Sequence, residues 1–378
     1  YSWLVNGKDY STEPTFSYKI DNPCRADLTC IIKNKYGKVE MSTSFSSNHN
    51  FSKGFFYVAD GTFNFYDTEK KTAYQDCYAS LNAGKTLGIG NYDSANIIHS
   101  NGKFYLLVGT STSNRDHFYI VDAKTLYYEN SAVVGANLSG LTILNEQYGL
   151  VTGDGIRRID LKSLNNVRIK NERLLCFYNS IIYNGKVLSN DTYKDESKVK
   201  YYDVNELIAA KEGEAPAVTE LDIIQKQKIN FVLAKDGNVY TLESADNGCN
   251  IVKIKNDFTL EKVFANFQPA KGPYHSSPTI GMVASETENI IYLVSTDGAI
   301  YKYILGDSDS LKAPFIAAES GVSITAPLQL NQQSGELYVT YTEERKDESK
   351  IVVYSKDGKV LHTVDCGESV PSQILFNN

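Results

Sequence analysis

The feature that most constrains this sequence is a strand pattern that recurs from residue 54 to the C-terminus at intervals of roughly 46 residues. In five of the repeats a strand rich in Tyr and Val is followed by another that ends in Asp, as in FNFYD at 63–67 and YIVD at 119–122. Asp-Gly pairs at 60–61, 154–155 and 297–298 supply the positive φ angles of two-residue hairpins. A repeat of this length is typical of β-propeller blades, which cover one another's apolar faces.

The repeat predicts six blades of four strands each between residues 95 and 364. They comprise residues 95–100, 103–109, 117–122 and 130–134; 141–145, 148–152, 156–160 and 167–170; 180–183, 186–190, 199–203 and 217–221; 230–234, 238–243, 250–255 and 262–265; 281–285, 290–295, 299–305 and 314–317; and 326–331, 336–341, 350–354 and 360–364. A short helix is predicted at 204–211, between two strands of the third set.

Two incomplete sets of strands remain at the ends of the repeat region. Residues 55–59, 62–67 and 72–77 form three strands without an innermost one, and residues 373–376 form a strand without a blade. Joined, they complete one more blade and remove the open sheet edges that invite aggregation. The sequence therefore predicts an all-β protein, with a seven-bladed β-propeller over residues 54–378 that the C-terminal strand 373–376 closes.

The first 48 residues follow a different pattern. Strands are predicted at 3–7, 15–20, 27–33 and 38–45, and a short polar linker follows at 46–53. The run LTCIIKN at 28–34, followed by Tyr36 and Gly37, resembles the last hairpin of a PKD-type immunoglobulin-like domain. The strand that contains Trp3 fits the same family. Because the first strands of a full module are missing, residues 1–48 are interpreted as a partial PKD/Ig-like β-sandwich.

A partial PKD-like module followed by a YVTN-like propeller resembles the PKD-like family lipoproteins of Bacteroidetes-type bacteria. The resemblance implies export, a lipid anchor in the outer membrane, and a place at the cell surface. It also implies two partners, a SusC-type outer-membrane transporter and a SusD-like lipoprotein, in the uptake of peptides or glycans. We expect membrane contact only through an anchor upstream of Tyr1, because the chain opens inside a strand-like run, as a processed or truncated chain would.

Charge and apolar content exclude two classes of partner. The net charge is −7 and the pI is near 5.4, whereas binding to nucleic-acid phosphates needs clustered Lys and Arg. No run of 18 apolar residues is present to span a bilayer. The six Cys lack zinc spacing and are interpreted as small buried hydrophobes, with a bridge between Cys24 and Cys30 left open.

Motifs for catalysis are missing from the sequence, so no cofactor, metal or catalytic residue is predicted. There is no HExxH, GxSxG, phosphate loop or EF-hand loop. The five His, at 49, 99, 117, 275 and 362, have no paired metal spacing and are interpreted as structural. The carboxylate pairs 286/288 and 343/344 could serve a glycosidase, but charged hairpin tips are the preferred interpretation.

The ligand of a propeller usually binds near the axis, on the face formed by two sets of connections. The rigid sheets hold these connections in place, so they can present binding residues. The connections run from the fourth strand of one blade to the next blade, and from the second strand to the third. Tyr and basic side chains on them suit sugar rings or peptide backbones. The predicted ligand-binding residues are Tyr92, Arg115, Tyr178, Tyr193, Lys271, Tyr274, His275 and Arg345. For the Gly/Pro-rich segment 271–278, a packed connection between blades remains the alternative.

Three functions are compatible with these patterns. The first is a binding or accessory lipoprotein of a nutrient importer. The second is a secreted glycan lyase or hydrolase, which would need ionisable groups converging in one pocket. The third is a protein-interaction scaffold, which would show a large exposed apolar patch.

Overall fold

The structure is a computed structural model, and it describes residues 1–19, 25–47, 50–82, 85, 87, 95–109, 115–153, 155–170, 180–190, 197–214, 216–225, 230–270, 281–343 and 348–377. Nearly all regular secondary structure in these ranges is β. Within the same ranges, no helix combines the length and apolar character needed to cross a membrane.

The N-terminal residues form one four-stranded antiparallel sheet. Its strands are β1 (Ser2–Val5), β2 (Lys8–Ser11), β3 (Arg25–Asn34) and β4 (Gly37–Ser46), in the order β2-β1-β3-β4. The strand predicted at 15–20 is wrong over residues 15–19, and the strand Lys8–Ser11 was not predicted. Phe16 lies 5.8 Å from Trp3, and Tyr18 lies 5.3 Å from Tyr10, between ring centroids. These aromatic contacts hold residues 15–19 without strand pairing.

Seven further sheets follow among the described residues, and we number them in chain order. Sheet 1 contains β5 (Gly54–Ala59), β6 (Thr62–Asp67), β7 (Thr72–Tyr74) and the C-terminal strand Pro371–Leu375. Sheet 2 contains β8 (Ala95–Ser100), β9 (Lys103–Val108), β10 (Asp116–Asp122) and β11 (Tyr128–Gly135). Sheet 3 contains β12 (Leu138–Ile143), β13 (Tyr148–Gly153), β14 (Gly155–Asp160) and β15 (Asn166–Lys170). Helix α1 (Cys77–Leu81) follows β7.

The remaining sheets repeat this antiparallel order. Sheet 4 contains β16 (Ile181–Tyr183), β17 (Lys186–Asn190), β18 (Ser197–Asp203) and β19 (Val218–Gln225), with α2 (Val204–Ala209) after β18. Sheet 5 contains β20 (Val232–Leu233), β21 (Val239–Ala245), β22 (Gly248–Ile254) and β23 (Leu260–Phe267). Sheet 6 contains β24 (Met282–Ala284), β25 (Ile290–Val294) and β26 (Ile300–Ile304), and a 3₁₀ helix follows at Ser308–Leu311. Sheet 7 contains β27 (Val322–Ile324), β28 (Gln329–Leu330), β29 (Leu337–Glu343), β30 (Ser349–Tyr354) and β31 (Val360–Gly367). The C-terminal strand Pro371–Leu375 is β32.

Most strands predicted in the repeat region coincide with observed ones. The exceptions lie beside a proline or beside a residue that caps a helix. The strand predicted at 314–317 makes only an isolated bridge between Ile300 and Ile316. The strand predicted at 326–331 is observed only at Gln329–Leu330 (β28), and the strand Val322–Ile324 (β27) before it was not predicted. Pro327, which has no backbone N–H to donate, lies between the two. The strand predicted at 72–77 ends at Tyr74, because Asp76 accepts a hydrogen bond from Ala79 N and caps α1.

Apolar clusters join successive sheets face to face. Phe56 of sheet 1 and Phe104 of sheet 2 are fully buried, with ring centroids 5.4 Å apart. Further clusters join each sheet from 2 to 6 to the next one. Another joins sheet 7 to sheet 1, where the Phe55 ring lies 4.9 Å from that of Tyr338. The chain therefore has a β-propeller-like all-β fold, whose core lies between sheets rather than inside one.

The C-terminal strand is the first strand of sheet 1. In β32, Gln373 pairs with Val58 of β5, and Leu375 pairs with Phe56. The strand predicted at 373–376 is thus observed at Pro371–Leu375. Residues from the two ends of the chain share one antiparallel ladder, which covers the inner edge of β5.

Side-chain amides link the first strands of neighbouring sheets. Gln373 Nε2 donates to Ile97 O at 2.7 Å, and Ile97 N donates to Gln373 Oε1 at 3.3 Å. Asn230 Nδ2 donates to Met282 O at 2.6 Å, and Met282 N donates to Asn230 Oδ1 at 3.0 Å. We call each of these two-bond contacts an amide clamp. A clamp satisfies backbone groups on the inner edge of a strand, where no further strand can pair.

Candidate functional site

Two kinds of connection leave the sheets at the same end, because successive strands alternate in direction. These are the connections from the second strand to the third and from the fourth strand to the next sheet. In sheets 2 and 3 the pairs Asp116↔Gly135 and Leu138↔Gly153 mark this end. We call it the upper edge and the opposite end the lower edge. All eight residues predicted to bind a ligand belong to upper-edge connections.

The structure describes one of the eight predicted ligand-binding residues. Arg115 precedes β10 at the upper edge, and its side chain is exposed. The other seven lie outside the described residues, and they are Tyr92, Tyr178, Tyr193, Lys271, Tyr274, His275 and Arg345. The structure does describe the strands on either side of the chain segments that carry these seven residues.

A buried hydrogen-bond network lies under the upper edge of sheets 4 to 6. Asn190 Nδ2, at the end of β17, donates to Gln225 Oε1, at the end of β19. Gln225 Nε2 donates to Thr241 Oγ1 at 2.9 Å and to the backbone carbonyl of Leu242 at 3.0 Å. Thr241 Oγ1 donates to Asn230 O at 3.1 Å. Asn190, Gln225 and Thr241 are at most 1% exposed, so the network crosses from sheet 4 to sheet 5 out of contact with solvent.

The network positions the residues that bracket three upper-edge segments. Segment 191–196 follows Asn190, and segment 226–229 lies between Gln225 and Asn230. The clamp from Asn230 extends the network to Met282, just after segment 271–280. A buried hydrogen-bond network that joins residues distant in the chain restricts their relative positions. The segments that carry Tyr193, Tyr274 and His275 therefore start from fixed points. Sequence reasoning missed this support, because Asn and Gln at strand ends have no distinctive motif.

A buried carboxylate organises the upper edge between sheets 2 and 3. Asp116 is 3% exposed, and its Oδ2 accepts a hydrogen bond from Leu138 N at 2.5 Å. The bond ties the start of β10 to the start of β12 in the next sheet. Arg115, the predicted ligand residue, immediately precedes this anchor, so its backbone position is fixed from one side.

Arginines on β14 point in opposite directions, as neighbouring residues of a strand must. Arg158 Nη1 donates to Ala210 O at 3.0 Å and also to Ile208 O, so it caps the C-terminus of α2. Arg157 lies on the other face, against Gly135 of sheet 2. In the sequence the two are adjacent basic residues with nothing to distinguish them. The period of two in a strand is the signal that separates their roles.

His99 and Glu288 occupy structural positions. His99 contacts the Phe104 ring at 5.2 Å between centroids, and burial lowers the pKa of His99 below its ordinary value. Glu288 makes an ion pair with Lys356 at 2.5 Å, and this hydrogen bond lowers the pKa of Glu288. A general acid of a glycosidase needs a raised pKa instead. Glu288 therefore does not have the environment of such an acid.

Metal and thiol chemistry find little support among the described residues. Within them, no group of three or more His, Cys, Asp or Glu could hold a metal ion. Asp307 accepts a hydrogen bond from Asp309 N and caps the 3₁₀ helix, as expected of an ordinary turn. Cys30 is a free thiol, and Cys24 lies outside the described residues. Burial raises the pKa of the Cys77 thiol to about 12, which makes it a poor nucleophile.

A surface cleft of about 420 Å³ lies at the lower edge of sheet 5. Lys253 and Lys255 line it, but they form ion pairs with Asp236 at 2.8 Å and with Glu261 at 2.9 Å. These pairs neutralise the positive charge of the cleft.

Comparison with known proteins identifies a family and a near-identical structure. Residues 51–377 match the family described as "Domain of unknown function (DUF5074)". The chain is 99% identical to a quinonprotein alcohol dehydrogenase-like protein from Bacteroides thetaiotaomicron, of known crystal structure. That alignment covers 100% of this chain and 91% of the other, with a TM-score of 0.95.

A more distant structural relative shares the fold. It is a functionally unknown protein from Desulfotomaculum acetoxidans, with 13% sequence identity and a TM-score of 0.56. The alignment covers 86% of this chain and 99% of that one. No curated protein matches the sequence.

Proposed function

We propose that this chain, which belongs to the DUF5074 family of domains of unknown function, is a ligand-binding protein of the bacterial cell surface. We propose further that sheets 1 to 7 are the blades of one seven-bladed β-propeller closed by β32, and that residues 1–48 are a partial Ig/PKD-like module. The ladder between β32 and β5 and the clusters between successive sheets support this arrangement.

The observation that carries the binding function is the hydrogen-bonded network under the upper edge. Asn190, Gln225 and Thr241 are buried and bonded to one another, so they do not bind a ligand themselves. They fix the residues that bracket the segments holding Tyr193, Lys271 and the Tyr274–His275 pair. A preorganised support under variable segments is how rigid scaffolds build binding sites.

The proposed setting is a nutrient importer of the outer membrane. We propose that the chain is a PKD-like family lipoprotein, secreted and anchored by lipid, and an accessory to a SusC/SusD-type uptake system for peptides or glycans. The sequence resemblance supports this setting, as does the Bacteroides source of the near-identical structure. Partner capture is the experiment that decides this setting.

A quinone-dependent dehydrogenase is the alternative that the name of the Bacteroides protein raises. A quinone supplies the redox chemistry of such an enzyme, and the protein must place a Lewis acid or a general base beside its carbonyl groups. The described residues contain no metal-ligating cluster, and the buried Asp116 carboxylate is bonded to Leu138 N. They do not fit a quinone site, and we derive no step through such a cofactor.

Partner capture tests the accessory function. The tagged protein would be crosslinked in its native outer membrane, purified and read by mass spectrometry, with an unrelated surface lipoprotein as the control bait. We expect a TonB-dependent transporter and a SusD-like lipoprotein to be enriched over the control. Recovery of the protein without either one would overturn the accessory function.

Ligand arrays test the binding function separately. Glycan and peptide arrays would be probed with the wild type, with Arg115→Glu at the upper edge, and with Lys312→Glu as a matched charge reversal beyond the 3₁₀ helix. The Lys312 side chain is 73% exposed, so this control should fold normally. We expect Arg115→Glu to weaken array binding and Lys312→Glu to leave it unchanged. Equal binding by all three proteins would exclude the upper edge as the site.

A further inference from the structure

We infer that the hairpin formed by β3 and β4 is a membrane-contact element, and that its partner is an anionic lipid surface. The protein itself makes this contact, in addition to the lipid anchor expected upstream of Tyr1. The inference starts from the part of the N-terminal sheet that is left exposed.

One face of the hairpin is apolar and exposed near its turn. The ladder pairs Ile32 with Val39 and Cys30 with Met41, so these four side chains lie on the same face of the sheet. Ile32, Val39 and Met41 are all exposed, and Met41 is 67% exposed. A contiguous group of exposed apolar side chains marks a contact surface, whereas single ones do not.

Aromatic rings cover another part of the same face. Phe16 packs against Trp3 of β1, and Tyr18 lies 6.1 Å from Phe45 near the end of β4, between ring centroids. The exposed apolar side chains lie beyond this cover, toward the turn of the hairpin. The exposed patch is therefore a feature of the hairpin and not of the whole sheet.

The same hairpin is basic in an otherwise acidic protein. Residues 31–40 contain three Lys and one Glu, a net charge of +2, whereas the whole chain carries −7. Lys33 and Lys38 are Cα partners, so two like charges lie side by side on the face opposite the apolar one. Glu40 offsets one of them through an ion pair with Lys38 at 2.6 Å. Among the described residues, no carboxylate forms an ion pair with Lys33 or Lys35.

The turn of the hairpin presents an aromatic ring beside a lysine. Asn34 Oδ1 accepts hydrogen bonds from Tyr36 N at 2.8 Å and from Gly37 N at 3.1 Å, which fixes the turn. Tyr36 is 85% exposed, and Lys35 Nζ lies 4.9 Å from the centroid of its ring. Tyr is enriched where a membrane meets water, because its ring is apolar and its hydroxyl is polar. Lys beside it can extend its ammonium group to the lipid headgroups.

Charge decides between a lipid surface and a second copy of the chain. A second copy would bring another net charge of +2 to the contact, and like charges brought together across an interface are unfavourable. An anionic lipid surface is complementary to this charge and also accepts apolar side chains at the boundary between headgroups and acyl chains. The patch therefore fits anionic lipid better than self-association.

The geometry of the sheet sets the depth of the contact. Among the described residues, β4 is the last strand of its sheet, so its outer backbone groups need water or headgroups as partners. Hydrocarbon cannot satisfy such groups, so the hairpin lies in the headgroup region and does not cross the bilayer. Ser2 pairs with Ile31, so an anchor upstream of Tyr1 would join the sheet near the same turn.

The test is co-sedimentation of the unlipidated chain with vesicles. The vesicles are made of phosphatidylcholine alone or of an equal mixture of phosphatidylcholine and phosphatidylglycerol. Two double variants remove the basic and the apolar parts of the patch, and they are Lys33→Gln/Lys35→Gln and Tyr36→Ser/Met41→Ser. Matched controls change exposed residues of the seven sheets and their turns, and they are Lys124→Gln/Lys162→Gln and Val360→Ser.

We expect the wild type to bind the mixed vesicles far more tightly than phosphatidylcholine alone. Each Lys near an anionic surface strengthens binding about 5-fold, so Lys33→Gln/Lys35→Gln should bind about 30-fold more weakly. Loss of the two apolar side chains should weaken binding at least about 10-fold. Both controls should bind like the wild type. Salt at about 1 M, where the Debye length is about 3 Å, should release the protein.

Tyr36→Trp provides a second measurement, which remains informative if a double variant fails to fold. The chain has one Trp, the half-buried Trp3, so wild-type emission serves as the baseline. A Trp at position 36 should shift its emission to shorter wavelength when mixed vesicles are added. An unchanged spectrum at saturating vesicles would overturn contact through the turn.

Three further outcomes would overturn the inference. They are no binding of the wild type to mixed vesicles, equal binding to both kinds of vesicle, and equal binding by the wild type and Lys33→Gln/Lys35→Gln. A dimer in analytical ultracentrifugation that binds no vesicles would assign the patch to a second copy instead. Because the test uses the chain without its anchor, such results would leave the proposed anchor, partners and ligand binding standing.

Discussion

Replacing Gly281 with alanine should open the amide clamp between sheets 5 and 6. The new Cβ would lie 2.7 Å from Asn230 Cγ and closer still to its Oδ1, so the Asn230 side chain must move away. Its bonds with Met282 O at 2.6 Å and with Met282 N at 3.0 Å would then be lost. Met282 is 3% exposed, so solvent cannot replace them readily.

The magnitude follows from the two bonds. Each contributes roughly 1 kcal/mol net, and leaving buried backbone groups without partners raises the total to about 2–4 kcal/mol. With an unfolding entropy of about 2.1 cal/mol/K per residue, residues 51–377 together have an unfolding entropy of about 0.7 kcal/mol/K. The midpoint of thermal unfolding should therefore fall by about 3–6 °C.

Urea and thermal unfolding of five proteins would measure this effect. They are the wild type, Gly281→Ala, Asn230→Ala and the double variant, with Gly37→Ala as a control, because a Cβ on Gly37 meets nothing within 4 Å. Without the Asn230 amide the new Cβ has nothing to displace, so the double variant should resemble Asn230→Ala. The reasoning is refuted if Gly281→Ala unfolds like the wild type, or if the two single effects add.

Three further predictions concern other parts of the fold. Gln373→Ala removes the clamp between sheets 1 and 2 and should lower the free energy of unfolding by about 2 kcal/mol in urea titrations; an unchanged midpoint would contradict it. Because burial lowers the pKa of His99, the unfolded chain takes up a proton first, and stability falls as the pH drops below about 6.5. His99→Gln should flatten this decline, and equal slopes for both proteins would show that His99 is not responsible. Arg158→Gln removes the cap of α2 and should cost about 1.5–3 kcal/mol in thermal unfolding; a stability equal to that of the wild type would argue against a capping role.

Sequence periodicity predicted the strands of this fold well where a short turn separates them. The strand Thr62–Asp67 was predicted with its observed bounds, and the Asp60-Gly61 turn before it has the positive φ angles expected, 45° and 74°. Such turns fix the register of a hairpin locally. The Phe16–Trp3 contact joins rings from two separate segments, so no local sequence pattern predicts it. For that reason the strand at 15–20 was predicted wrongly.

The candidate site was less predictable than the fold. Tyr and basic residues on long connections were chosen by composition, and Arg115 is the one that the structure describes. The network of Asn190 and Gln225 depends on two strand ends 35 residues apart in the chain. Only the assembled sheets bring such amides together.

The ladder between β32 and β5 has a consequence for biosynthesis. Ser372 Oγ donates to Val58 O, and these residues lie 314 positions apart. During synthesis the residues of sheets 2 to 7 all emerge before the strand that completes sheet 1. A nascent chain therefore carries an open edge at β5 until β32 has emerged, and native pairing over this span is slow to form. Translation that stalls near residue 370 would leave a product with exposed strand edges, and such a product should depend on chaperones or proteases for its removal.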